Sequence, residues 1–535
     1  MEKVKSFINK HKKVFNFIKY ALPYLFPILA FINFAVFLSG GTDNLINSDH
    51  SSELVLGKLL SEEGGILSTN WFYSTEVRVL NTQIVYKTLF HFTDNWHLVR
   101  YLGSLINALI LVVCGGYLTF VMGLKKYIPF ITGALLLPLS FQYFDIVLFG
   151  SYYVPHISIT FVFLAFMFSI LKAKKLYAKI IYTVLACLLA FVSCLGGLRQ
   201  LCILFAPMMM AVVILLFIKR EEFKTIKLKE AIKNPYIVFT GASVLTSVFG
   251  VAGYLVNEKV FRDIFSFHNF NYIHFTEFSF ERIVQTVKGF FNIFGYITGD
   301  KVFSAQTIVN ICSCLLLGFG AYSVYKVLKN HKDFSLTQIF VALFTATGFA
   351  VMFIMYGFTD FEYTHRYLIP TAVFVYISYV NLIGNINWKK SLKGLFVILL
   401  AVFMIFPSNA TFEERGNTEG NKNLLQMAKI IVNQGCTEGY ASFWNANVMT
   451  EMTDGLLEVR TWTTSGNIEA LDKYHNWLHV KDFGEKKAEG KVFLLFTADE
   501  YNNSNIVKYL ANPAKTIKTS QYALLIYDSY DTIYN

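Results

Sequence analysis

Charged residues are scarce in this chain. Only 16% of its 535 residues are Asp, Glu, Lys or Arg, where a soluble globular protein carries about 25%. Apolar residues make up 54%, above the usual range of about 45–50%. These proportions exclude a disordered chain and an ordinary soluble enzyme. Cysteine offers no disulfide framework. Cys114, Cys187, Cys194, Cys202, Cys312 and Cys314 sit inside apolar runs, where they read as packing residues, and Cys436 stands alone. The chain has no Walker-type loop, no glycine-rich dinucleotide fingerprint and no His-x-x-x-His pair. His268 and His274 are poorly spaced for zinc, so no metal site is assigned. Solenoid-length repeats and low-complexity tracts are absent too.

Long apolar runs dominate instead, rich in the chain's 53 Phe. A membrane span needs about 20 mostly apolar residues. Eleven runs qualify: 16–38, 101–122, 128–149, 152–171, 177–196, 200–218, 236–256, 304–325, 336–357, 367–386 and 394–408. The run after the basic N-terminal residues is too long for a signal-peptide core and reads as a retained first span. The fold class expected is an α-helical polytopic membrane protein.

The charges test this topology. With the N-terminus inside, every inner connection is basic: 1–15, 123–127, 172–176, 219–235, 326–335 and 387–393 all carry Lys or Arg. The short outer connections hold only Arg199 and Arg366, and the long ones, 39–100 and 257–303, hold nine Lys/Arg between them. The positive-inside rule therefore predicts a cytoplasmic N-terminus and an extracytoplasmic tail. The net charge of +11 divides as −4 over 408–535 and +15 over the rest, interleaved with apolar runs. That pattern belongs to membrane topology and not to a nucleic-acid face.

The tail changes composition. Leu424 to Val432 reads as a helix, and 439–443, 491–496 and 522–527 read as strands. The organisation expected is a transmembrane domain over 1–408 and a small extracytoplasmic α/β domain over 409–535.

Ionisable groups near membrane depth are costly and default to functional candidates. Here they gather on the predicted outer side: Asp49, His50, Glu53, Glu76, Arg78, Asp145, His156, Arg199, Asp360, Glu362, His365 and Arg366. Asn47-Ser-Asp-His-Ser-Ser-Glu53 opens an amphipathic segment with Asp49 suited to an N-cap and Gly64-Gly65 to a stop. Asp49 and Glu53, four apart, share a helix face. Val77, Leu80, Ile84, Val85 and Leu89 form a second helical stripe behind a Ser74/Thr75 cap. Two interfacial helices after the first span make an organised loop.

In these features the sequence resembles the GT-C class of integral membrane glycosyltransferases, the protein O-mannosyltransferase-like and lipid A aminoarabinose transferase-like enzymes. The resemblance covers about 1–410. It implies a many-span bundle, an acid after the first span and paired interfacial helices in the first outer loop. Asp49 stands where that family's general base is expected, and Glu76 near where a second acid is often found. His156 stands where many members carry another acid. His365-Arg-Tyr-Leu-Ile-Pro370 resembles the family's polar segment before a late span. The function implied is transfer of a sugar from a polyprenyl-phosphate donor to an extracytoplasmic cell-envelope acceptor. Asp49 and Glu76 are the expected catalytic acids. Arg199 and Arg366, assisted by His365, are the expected phosphate partners. Glu53, Arg78 and His156 complete the expected substrate-binding set. No cofactor is assigned, and a divalent cation at Asp49 and Glu76 stays open. A lipid-linked oligosaccharide flippase and a polysaccharide polymerase or ligase are the competing readings. The near absence of mid-span charge disfavours the first, and the early position of the organised loop disfavours the second.

Overall fold

The computed structural model describes residues 21–223, 233–268, 273–299, 301–462, 477–484 and 486–534. Among these, ten helical segments are long and apolar enough to cross a bilayer: Leu22–Ser39, Trp96–Val121, Val154–Lys172, Leu176–Cys194, Leu201–Ile218, Pro235–Ile264, Ala305–Lys329, Leu336–Phe358, His365–Asn385 and Lys390–Gly416. Val113, Phe217 and Val248 are more than half exposed on them, which suits side chains that face lipid. The chain is a multi-pass membrane protein.

The run expected to span at 128–149 is not one helix. It divides into Ile128–Leu135 and Phe141–Tyr143, and continues as a π-helix over Phe144–Phe149. Pro138 lies in the break. It lacks an N–H and drives Leu137 away from helical geometry. All six residues of the π segment are buried, so the apolar run records protein burial rather than lipid contact. The run expected at 394–408 is longer than expected, Lys390–Gly416, with Pro407 inside it.

The first connecting loop is built as predicted in outline and differs in detail. The helix Ser48–Glu63 ends at Gly64, whose φ of +84° closes it in the left-handed region. Its N-cap is Asn47, whose Oδ1 accepts from the His50 N–H at 3.1 Å. Asp49 is therefore in the first turn, where a carboxylate complements the helix dipole, and its side chain is left for other partners. The second helix covers only Gln83–Phe90 behind Thr82. Ser74 and Thr75 cap nothing, because residues 74–82 form a buried run of turns and bends that delivers Glu76 and Arg78 inward.

Strands β1 (Trp71–Phe72), β2 (Glu438–Ser442), β3 (Glu458–Trp462), β4 (His479–Val480), β5 (Val492–Thr497), β6 (Lys515–Lys518) and β7 (Tyr522–Tyr527) form two sheets. The larger has the order β3-β2-β5-β7-β6. Its β3, β2 and β5 run parallel, and β7 is antiparallel to both neighbours. The tail thus has the helix and strands expected of it, with Lys422–Asn433 as the helix. In the smaller sheet β1 of the first loop pairs with β4 of the tail. The helix Phe443–Met452, which joins β2 to β3, packs on Ser48–Glu63. There Asn447 Nδ2 donates to Ser52 Oγ at 2.8 Å. The tail is docked on the segment that carries Asp49.

Candidate active site

Glu76 is the hub of the site. Its side chain is 4% exposed and faces two guanidinium groups and an imidazole. It is ion-paired to Arg199. His156 Nε2 is 3.3 Å from Oε2, and Arg78 Nη1 is 3.6 Å from the same oxygen. Burial alone would raise the Glu76 carboxyl, but Arg199, His156 and Arg78 outweigh it and hold the group well below the usual carboxylate range. Arg78 also binds Glu53 at 3.0 Å, and the Thr82 hydroxyl donates to the other Glu53 oxygen at 3.1 Å. Gln200 Nε2 lies 3.5 Å from His156 Nδ1. Side chains from the first loop and from the entrances of two spans therefore meet in one buried cluster.

A second pair lies closer to solvent. Arg366 Nη1 is 3.4 Å from Asp49 Oδ2, with side chains 34% and 26% exposed. Tyr367 links the two groups. Its ring centroid is 5.2 Å from the Arg199 guanidinium and 5.6 Å from that of Arg366. Tyr153 covers Arg199 at 4.9 Å. The order Glu53, Arg78, Glu76, Arg199, Tyr367, Arg366, Asp49 is continuous, from a buried end to an accessible one. Cation–ring contacts keep two guanidinium groups side by side without neutralising them.

His50, beside Asp49, points away from this chain of groups. Its Nε2 lies 3.0 Å from the Asp145 carbonyl oxygen. Burial, with Arg100 and Arg415 nearby, holds it well below the ordinary histidine value, so it is neutral near pH 7. A small apolar pocket also opens against the cluster. Leu198, Cys202, Ile203, Met352 and Met355 line it, and Arg199 and Tyr367 stand at its polar end.

Of the eight residues given a catalytic or substrate-binding role from the sequence, seven fall in this one network. His365 does not. Its ring packs on Tyr363 at 5.1 Å, and it contacts neither acid. Asp145 pairs with Arg415 at 2.9 Å, and Asp360 with His274 at 3.1 Å. Tyr153, Gln200 and Tyr367 were missed, although Tyr367 lies within the segment His365–Pro370 quoted above. The amphipathic helix Phe280–Ile293 was missed too, despite its Ser279 cap and its buried Thr286, Phe290 and Ile293. Glu76 is already engaged by the Arg199 and Arg78 guanidinium groups and by His156, rather than turned toward Asp49. Among the described residues no cluster of three or more His, Cys, Asp or Glu is arranged for a metal.

No family model matches the sequence, and no curated protein matches it. Solved structures do match. The apo structure of ArnT from Cupriavidus metallidurans superposes with a TM-score of 0.60 at 10% identity, covering 96% of this chain and 98% of that one. ArnT from the same organism bound to undecaprenyl phosphate gives 0.55 at 11% identity, covering 94% and 97%. The oligosaccharyltransferase AglB from Archaeoglobus fulgidus, in complex with an inhibitory peptide and a dolichol-phosphate, gives 0.45 at 12% identity over 89% of this chain and 70% of that one. This chain has the fold of ArnT, an aminoarabinose transferase of the GT-C class.

Proposed function

We propose that the protein is a membrane glycosyltransferase that moves a sugar from a polyprenyl-phosphate donor to an acceptor hydroxyl. The observation that carries this reading is the Asp49–Arg366 contact, an acid from the first loop set against a guanidinium from a late span at the accessible end of the network. Asp49 removes the proton of the acceptor hydroxyl. The acceptor oxygen attacks the anomeric carbon, and the bond from that carbon to the phosphate oxygen breaks. The electron pair leaves on the phosphate, which Arg366 stabilises with Arg199 close behind. Glu76 acts indirectly. It fixes Arg199 from below, so Arg199 keeps one orientation when a phosphate arrives. The apolar pocket ending at Arg199 and Tyr367 suits the first isoprene units of the donor. In this reading Glu53, Arg78 and His156 hold the hub, and His365 supports the turn that carries Arg366.

The basic loops at the opposite end of the bundle support an extracytoplasmic site. ArnT binds undecaprenyl phosphate, which accords with a lipid-linked donor here. The test is incubation of the full-length protein in nanodiscs with polyprenyl-phosphate sugars and cell-envelope extracts. Release of polyprenyl phosphate together with a glycosylated product is expected. A protein that turns over nucleotide sugars and ignores every lipid-linked donor would overturn the reading.

A further inference from the structure

A second cleft, of about 540 Å³, opens near the same end of the bundle. Its volume lies within the range of about 300–1,000 Å³ typical of small-molecule sites. Four separate elements build it: the broken segment around Ser140–Gln142, the end of Phe280–Ile293 with the turn after it, the start of Ala305–Lys329, and the C-terminal part of Lys390–Gly416. Gly295 makes the floor. Its φ is +94°, and a Cβ there would lie 2.5 Å from the Leu139 carbonyl oxygen and 2.8 Å from Pro407. Only glycine permits that approach.

The lining mixes apolar and polar groups, and the charge among its polar groups is of one sign. Gln142, Asn292, Gln306 and Glu414 line the cleft, and among the described residues no Lys, Arg or His does. Asn292 Nδ2 donates to the Tyr296 carbonyl at 3.2 Å. Gln306 Nε2 donates to the Gly295 carbonyl at 3.1 Å and to Asn310 Oδ1 at 2.9 Å. Both Gln306 N–H donors are thus engaged, which leaves its oxygen as an acceptor, and Asn292 has one N–H engaged and keeps its oxygen as an acceptor. Glu414 adds a carboxylate, and Phe141 adds an aromatic wall. Arg415 covers one face of that ring at 4.3 Å from its centroid, while its own charge is spent on Asp145. Such a surface accepts hydrogen bonds, repels anions and stacks on apolar C–H groups. A neutral sugar ring, with many hydroxyl donors and an apolar face, meets all three demands. A phosphate meets none.

The cleft also adjoins the candidate active site. The short helix Phe141–Tyr143 packs against the His365–Leu368 turn that carries Arg366, and so does Phe280–Ile293, which carries Asn292. We infer that this cleft binds a neutral pyranose of the glycan acceptor, beside the phosphate-binding end of the site. Its role as an acceptor subsite rests on the transferase reading, but its binding of saccharide does not.

Saturation-transfer NMR on the full chain in nanodiscs tests it without turnover, using neutral trisaccharides (maltotriose, mannotriose, chitotriose) and a trigalacturonate. Saturation transfer to at least one neutral trisaccharide and none to the uronate is expected. The Gln142→Ala/Gln306→Ala variant should weaken that binding about tenfold or more, while Asp49→Asn leaves it unchanged. If the double variant does not fold, Gln142→Ala alone serves, since the Gln142 side chain is not held by any side-chain hydrogen bond among the described residues. Binding that ignores these substitutions, preference for the uronate, or no saccharide binding would overturn the inference. Loss of transfer in Asp49→Asn with saccharide binding retained bears only on the reaction.

Discussion

Arg100 and Glu451, 351 positions apart, form a bidentate pair in which Nε and Nη2 each donate at 2.8 Å. Arg100 is fully buried and Glu451 nearly so. The same Nη2 donates to the His50 carbonyl at 2.8 Å. One guanidinium thus ties a long span, the tail helix Phe443–Met452 and the first turn of the helix carrying Asp49. Removing one partner of a buried pair costs about 3–5 kcal/mol, because the other charge remains in a dry site. Glu451→Ala should therefore lower the thermal midpoint of the purified protein by several degrees. Glu451→Leu combined with Arg100→Met should be less damaging than either single change. Differential scanning fluorimetry in detergent checks both expectations.

Asp49 is partly exposed and needs no partner for folding. Asp49→Asn should reduce transfer by about 10²- to 10⁴-fold, the usual contribution of a general base. Membrane expression and thermal midpoint should match the wild type. Full activity in this variant would remove Asp49 from the reaction.

Arg366→Ala should lower the turnover of phosphate-linked donors by about 10²- to 10³-fold, as for other groups that stabilise developing charge. Arg366→Lys should restore part of it, since lysine keeps the charge and loses the planar fork. Steady-state kinetics with one lipid-linked donor separates the two variants.

Glu76 gives the fold a defined acid limb. Its folded-state value lies below the ordinary 4.5. The stabilisation it provides is therefore complete above that ordinary value and is lost as pH falls from there toward the folded-state value. Thermal midpoints measured from pH 7 to pH 3 should fall for the wild type. Glu76→Gln should be less stable at pH 7, with the Arg199 and Arg78 guanidinium groups left around a neutral amide, and should show a flatter acid limb.

Gly57 sits where the two helices of the first loop touch. A Cβ there would lie 2.6 Å from the Tyr86 Cβ. Gly57→Ala should cost about 1–3 kcal/mol through overpacking. It should reduce activity through displacement of the helix carrying Asp49, and unchanged stability and kinetics would refute that packing role.

Much of the candidate site could be read from the chain because its parts are polar groups in apolar surroundings. Arg199 stood out for that reason, Asp49, Glu76 and Arg366 stood out by their place on the outer side and by the family resemblance, and their contacts with one another were not readable. The N-cap passed from Asp49 to Asn47 because a capping side chain and a first-turn carboxylate look alike in a string of Asn, Ser and Asp. The run at 128–149 read as a span because hydropathy does not distinguish burial in protein from burial in lipid, and Pro138 decided its course. The docking of the tail on the first loop gave no local signal at all. Asn447 and Glu451 lie on one helix face whose partners are hundreds of residues away.

Composition and charge spacing by themselves determined that this chain crosses the membrane many times, since so many long apolar runs joined by basic connections on one side suit a bilayer. Which acid faces which arginine was decided only by the tertiary structure. Ion pairs such as Asp49–Arg366 and Arg100–Glu451 depend on the packing of spans against one another, and a linear pattern carries no information about distance across a bundle.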